Sequence, residues 1–180
     1  MRSKYDKTDR KIKRALIEVY PKRNIQHITI DVICRKADIH RNTFYTHFEN
    51  IDCLIDNIIA DYYKGINKYN YADSIDIQEK DLKNRKIIAM TNLMQYHSEN
   101  KNIYLTLFSP SSKYWLRYKE AVKRDLICAQ DKCGYKFGTL QNYVTDMNVA
   151  AIIETTYKWL TVGKAKAEDI ASMLVNTLQI

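Results

Sequence analysis

Apolar positions recur at helical spacing along most of this chain. Ile12, Ala15, Leu16, Val19 and Tyr20 fall at offsets of 0, 3, 4, 7 and 8, so they line one face of a helix, with Lys11, Lys13, Arg14 and Glu18 on the other. Pro21 cannot comfortably continue the backbone ladder and Asn24 tolerates the left-handed conformation, which predicts a stop there. Thr29 precedes the short run Ile30 to Ala37, where its hydroxyl can cap the free amides of a second helix. Asp38-Ile39 makes a tight corner. The stretch from His40 to Phe48 then reads as a third helix with Phe44 and Phe48 facing inward and hydrogen-bonding residues facing out.

The fourth segment carries the clearest pattern, with Ile51, Leu54, Ile55, Ile58, Ile59, Tyr62, Tyr63 and Ile66 at offsets 0, 3, 4, 7, 8, 11, 12 and 15. It predicts a long amphipathic helix joining two regions. The polar stretch from Asn67 to Gln78, with Asp73, Ser74 and Asp76, reads as a loop. Further helices are predicted over about Lys80–Ser98, Lys101–Phe108, Lys113–Lys132, Asn142–Thr161 and Ala167–Leu178. Ser109 to Ser112 and Gly134 to Gly138 supply turns. No strand alternation and no internal repeat competes, so the fold class is all-α.

Composition agrees. Only 4 Gly and 2 Pro interrupt 180 residues, and a 46% hydrophobic fraction is ample for a packed core, against disorder or a collagen-like repeat. The formal net charge is +8, and residues 1 to 50 hold 12 Lys/Arg against 6 Asp/Glu. That local surplus suits a polyanionic partner. The polar N-terminus has no apolar signal region and no stretch approaches eighteen apolar residues, so the expectation is a cytoplasmic protein without a membrane partner. Cys34, Cys53, Cys128 and Cys133 form no C-x-x-C pair and have no neighbouring His, so buried, reduced thiols and no metal are expected. No Gly-rich phosphate loop, G-x-S-x-G or H-E-x-x-H is present, and His97 lacks a second ligand at helical spacing. The reading is a non-enzyme without a cofactor.

Two short helices separated by a tight corner are the geometry of a helix-turn-helix, whose second helix enters the major groove of DNA. Arg41, Asn42, Thr43 and Thr46 can donate to or accept from base edges. Tyr45, His47 and Thr29 offer donors suited to phosphate oxygens, which fix register without reading sequence.

Residues 12 to 54, above all the run from Thr29 to Phe48 with its core Thr43-Phe44-Tyr45-Thr46-His47-Phe48, closely resemble the N-terminal domain of TetR-family transcriptional regulators. The resemblance implies an N-terminal three-helix DNA-binding domain over residues 1–50 and a helical effector-binding and dimerisation domain over residues 51–180. It implies phosphate contacts from Thr29, Tyr45 and His47 and a groove face of Arg41, Asn42, Thr43 and Thr46. Three positions depart from the family pattern: Asp38 stands where Gly is usual in the turn, His40 where Ser or Thr opens the recognition helix, and Ile51 where a Lys is common. The segment from Ala150 to Leu160, with Glu168 to Leu174 after a basic turn, resembles members related to the dihydroxyacetone-kinase regulator. There the last two helices pair with their two-fold mates, which implies a homodimer.

The implied function is a regulator, read as a repressor, that binds a palindromic double-stranded operator as a homodimer and responds to a small-molecule or protein effector. Tyr62, Tyr96, Tyr104, Trp115 and Tyr118 are candidate walls of an effector pocket, although core packing explains such aromatics equally well. The alternative reading is a helical protein-binding adaptor with a degenerate DNA-binding head.

Overall fold

Nine α-helices and no strand are found among residues 4–20, 28–68 and 82–178, which a computed structural model of the chain describes. They are α1 (Lys4–Val19), α2 (Ile30–Ala37), α3 (Arg41–His47), α4 (Ile51–Asn67), α5 (Leu82–Glu99), α6 (Lys101–Leu107), α7 (Trp115–Lys132), α8 (Gln141–Val162) and α9 (Ala167–Thr177). The stop signals at Pro21 and Asn24 and the polar loop with Asp73, Ser74 and Asp76 lie outside the described residues. The chain divides into two compact units, Met1–Lys64 and Gly65–Ile180, and the division falls inside α4.

In the first unit the periodic face of α1 is buried as the spacing predicts. Ile12, Leu16, Ile33, Phe44 and Leu54 are all fully inaccessible, and burying a side chain of this size stabilises by roughly 1.5–3 kcal/mol. Helix α1 packs chiefly on α2 and starts at Lys4, well before its first apolar position at Ile12. A second tie holds α1 to α4. Lys13 sits 2.7 Å from both Asp9 and Asp61, with its aliphatic stem largely covered. Burial works against that ammonium, but hydrogen bonds to Asp61 and Asp9 outweigh it and raise its pKa above the ordinary lysine value.

In the second unit α5 packs mainly on α9, and α7 on α8. Met94, Tyr104, Leu107, Val149 and Ala171 are completely buried. Between α7 and α8 lies a polar node. The inaccessible Gln130 accepts through Oε1 from the Thr145 hydroxyl at 3.0 Å and from Gln141 Nε2 at 3.1 Å. Gln141 Oε1 in turn accepts the Phe137 amide at 3.2 Å, fixing the turn that enters α8. Helix α8 ends at Gly163, where an added Cβ would come within 2.6 Å of the Trp159 carbonyl oxygen. The cysteines correct one expectation: of the four free thiols only Cys34 is buried, whereas Cys53 and Cys128 are exposed. Both exposed thiols lie on the polar faces of their helices, where spacing and not residue type decides burial.

Candidate nucleic-acid interface

The geometry of the interface begins with α2. Thr29 adopts an extended backbone and its Oγ1 accepts the Val32 amide at 3.4 Å, so the predicted cap forms. The helix ends at Asp38, whose φ of 53° and ψ of 58° are left-handed. A side chain is thus held where Gly is the easier residue, and Asp tolerates this conformation better than most. Its amide reaches back to the Arg35 carbonyl and the Ile39 amide to that of Cys34, which turns the chain sharply into α3. His40 opens α3 with an extended backbone and no side-chain cap.

Helix α3 is anchored by Phe44, which is fully buried, and followed by the buried Phe48; the two rings lie 6.0 Å apart. Anchoring this face turns the opposite one outward. Arg41, Asn42, Tyr45 and Thr46 are exposed, and Thr43 is half-buried. The Thr46 hydroxyl donates to the Asn42 carbonyl at 3.0 Å, which leaves its lone pairs as acceptors. His47 is half-buried, its ring stacked on Tyr5 at 4.0 Å with 22° between the planes. Its Nδ1 is buried with no hydrogen-bond partner among the described residues, so only Nε2 is left to reach outward.

Arg41 is not alone on this surface. Its Nε lies 3.3 Å from Asp31 Oδ1 on α2, with both side chains more than half exposed. The Tyr45 hydroxyl, first, and the Asp31 charge, second, hold the guanidinium above its ordinary pKa. The cations of α1 also have differing occupations. Lys13 is tied inward, Arg14 lies 2.7 Å from Glu18 and Lys36 of α2 lies 2.8 Å from the same carboxylate, while Lys11 is exposed. Between them, Lys36 foremost and then Arg14 lower the Glu18 pKa to about 2.

The five aromatic candidates for an effector pocket are divided between the two units. Tyr62 belongs to the first unit and is buried. In the second, Tyr104 and Tyr118 are buried edge to face at 5.5 Å, and Phe108 stacks on Tyr118 at 4.5 Å. Tyr96 is half-buried with its phenol against Gly65, where no Cβ would fit, and Trp115 is half-buried at the start of α7. A shallow cleft of about 300 Å³ in this unit is lined instead by Leu82, Lys83, Lys86, Tyr135, Val175 and Asn176. Among the described residues no three metal-ligating side chains come together, and no helix is long and apolar enough to cross a membrane.

Two participants in the interface escaped the sequence reading. Tyr5 lies in a polar segment without periodicity, and Asp31 carries no motif; its pairing with Arg41 arises only because the corner at Asp38 folds α3 back beside α2.

No protein-family model matches the chain. It is similar to the HTH-type transcriptional regulator YdgC of Bacillus subtilis, 21% identical over 99% of this chain and 94% of that protein. It is also 28% identical to the HTH-type regulator YxbF of the same organism over 69% of its own length, a match spanning only 32% of YxbF. Among solved structures, a TetR transcriptional regulator from Streptococcus agalactiae superposes with a TM-score of 0.70, at 18% identity, covering 97% of this chain and 94% of that one. The fold is that of the TetR-family regulators. A second neighbour of this TetR fold is the dihydroxyacetone kinase operon activator DhaS, with a TM-score of 0.58, at 22% identity, covering 94% and 92% of the two chains. The relatives and the Streptococcus agalactiae neighbour are transcriptional regulators, not enzymes.

Proposed function

We propose that this TetR-like chain is a sequence-specific DNA-binding transcriptional regulator that acts as a homodimer. The observation that carries the reading is the division of α3 into an anchored aromatic face and an outward face of Arg41, Asn42, Tyr45 and Thr46. In the major groove Arg41, Asn42, Thr43 and Thr46 meet base edges, while Thr29, Tyr45 and His47, through Nε2, meet phosphates. Exposed Tyr143, Met147 and Val162 on α8 and Met173 on α9 supply an apolar surface for a second copy. Two copies related by a two-fold axis read a palindrome with half-sites about one helical turn or more apart. Occupying such a site represses by occlusion. An effector, whether small molecule or protein, acts only by preferring one arrangement of the two reading heads, and shifting that population from 1:99 to 99:1 takes about 5.5 kcal/mol of differential affinity.

The test is selection of binding sites from a random duplex library by the full chain, followed by titration in rising salt. Expected is one enriched palindromic site whose affinity falls steeply with salt, and a loss of about 1–3 kcal/mol on that site for Arg41→Ala. Absence of salt-dependent attachment to any duplex would refute the reading.

A further inference from the structure

The pairing of Asp31 with Arg41 has a consequence for which base α3 reads. We infer that Asp31 is a positioning residue that holds the Arg41 guanidinium by its Nε edge, so that the two terminal nitrogens face the groove as a fork and select a guanine in each half-site. The inference rests on the DNA-binding reading above and adds to it a base identity and the residue that enforces it.

The geometry supports this in three steps. A guanidinium has five N–H donors in one plane; a carboxylate at 3.3 Å from Nε engages the inner edge and the Tyr45 hydroxyl takes one further donor, so each terminal nitrogen keeps at least one N–H for the groove. Guanine is the base whose major-groove edge offers two adjacent acceptors, N7 and O6; adenine offers one acceptor beside a donor, so the same fork meets an N–H and is rejected. An unpinned arginine on a seven-residue helix would retain its rotamer freedom and could swing to a phosphate, where it would carry no sequence information. Tyr45, one turn along α3, contributes a second neighbour to the same guanidinium. Asp31 itself sits in the first turn of α2, where the helix dipole favours a negative charge, and more than half of its side chain is exposed, so its removal leaves the core untouched.

A structural role for Asp31 and a role in positioning Arg41 move different observables. Site selection is run with the full chain carrying Asp31→Ala, Asp31→Asn, Arg41→Lys, Arg41→Ala and the double variant Asp31→Ala/Arg41→Ala, with thermal unfolding and the salt slope as controls. The expected result is a guanine at one position per half-site in the wild type, preferred about tenfold or more. That preference falls at the same position in Asp31→Ala and Arg41→Lys, is partly kept in Asp31→Asn, and falls no further in the double variant than in Arg41→Ala. Thermal unfolding of Asp31→Ala falls by no more than the few degrees that one first-turn charge accounts for, and its salt slope stays as in the wild type. Three results would overturn it: a uniform loss of affinity across all sequences in Asp31→Ala, a changed preference at a position different from that of Arg41, or additive losses in the double variant. A wild type that enriches a site without an Arg41-dependent guanine refutes this inference alone, whereas a wild type that enriches no site brings down the DNA-binding reading and this one with it.

Discussion

The two units of the chain treat polar side chains in opposite ways. Among the described residues the buried Lys, His, Thr, Ser, Gln and Asn side chains, from Lys86 and His97 to Gln130, Asn148 and Thr156, all lie in the second unit, while the buried residues of the first are aliphatic and aromatic apart from Cys34, with Tyr62 bringing in one phenol. The first unit uses Phe44 and its neighbours as an oily foundation and spends its hydrogen-bonding groups on the outer faces of α2 and α3. The second spends them inside, on nodes such as Gln130–Thr145–Gln141. A surface that must meet water and then a polyanion benefits from the first arrangement, because each donor can exchange one partner for another at little cost. Buried polar networks fix one packing, because leaving any member unmatched costs free energy.

The largest effect that tests this contrast is Phe44→Ala. Removing a fully buried ring should cost about 3–5 kcal/mol, all of it in the first unit. Both tryptophans, Trp115 and Trp159, lie in the second, so their emission reports that unit alone. Hydrogen exchange of the α2 and α3 amides should accelerate strongly and duplex binding should vanish, while the urea midpoint read by tryptophan emission stays put. A midpoint that falls in step would show the two units to be one cooperative body and end the comparison.

Acid should separate them next. His97 is completely buried and desolvation lowers its pKa from 6.5 to about 3, so the folded chain keeps it neutral where the unfolded chain protonates it. The sign follows: this contribution to stability is intact above pH 6.5 and is lost as pH falls toward 3, by up to ~1.4 kcal/mol per unit. The carboxylate of Glu18, by contrast, is held at about 2 by Lys36 and Arg14, so its ion pairs in the first unit persist until pH falls from its ordinary value of 4.5 toward 2. Tryptophan-monitored urea midpoints measured between pH 7 and 4 should therefore fall, and the slope should flatten in His97→Leu. An unaltered slope in that variant would place the acid sensitivity elsewhere.

How much of this was legible beforehand follows from the range of each interaction. Periodicity is local, so α2, α4 and α5 to α9 were found within a few residues of their ends, and the Thr29 cap with them. The opening turns of α1 were not, because residues 4 to 11 bear no apolar stripe. Lys13 read as one of the polyanion-facing cations of the polar face of α1, since its partner Asp61 is 48 positions away and no pattern joins them. The aromatics of the second unit show a different limit: a pocket wall and a stacked core call for the same residue types, and the edge-to-face contact of Tyr104 with Tyr118 is compatible with both. On α3 the outward residues were legible because helical spacing alone decides which face Phe44 buries. The partnership of Arg41 with Asp31 was not, because it depends on the angle of the corner between them.

That corner gives the smallest predicted effect. Asp38 carries a Cβ at a φ of 53°, a conformation that costs an L-residue roughly 1–2 kcal/mol, less for Asp, whose short side chain can form local hydrogen bonds. Glycine removes the steric penalty but loses more backbone freedom on folding, by roughly 0.5–1 kcal/mol relative to alanine. The two terms nearly offset, so Asp38→Gly should raise stability by no more than about 0.5 kcal/mol, whereas Asp38→Ala, which keeps the Cβ and loses the carboxylate, should lower it by about 1 kcal/mol. Exchange of the α2 and α3 amides reads both changes, and tryptophan emission should report neither. If Asp38→Gly instead destabilised the first unit by more than 1 kcal/mol, the Asp38 carboxylate would be holding the corner by a bond of its own, and the angle that brings Asp31 to Arg41 would depend on it.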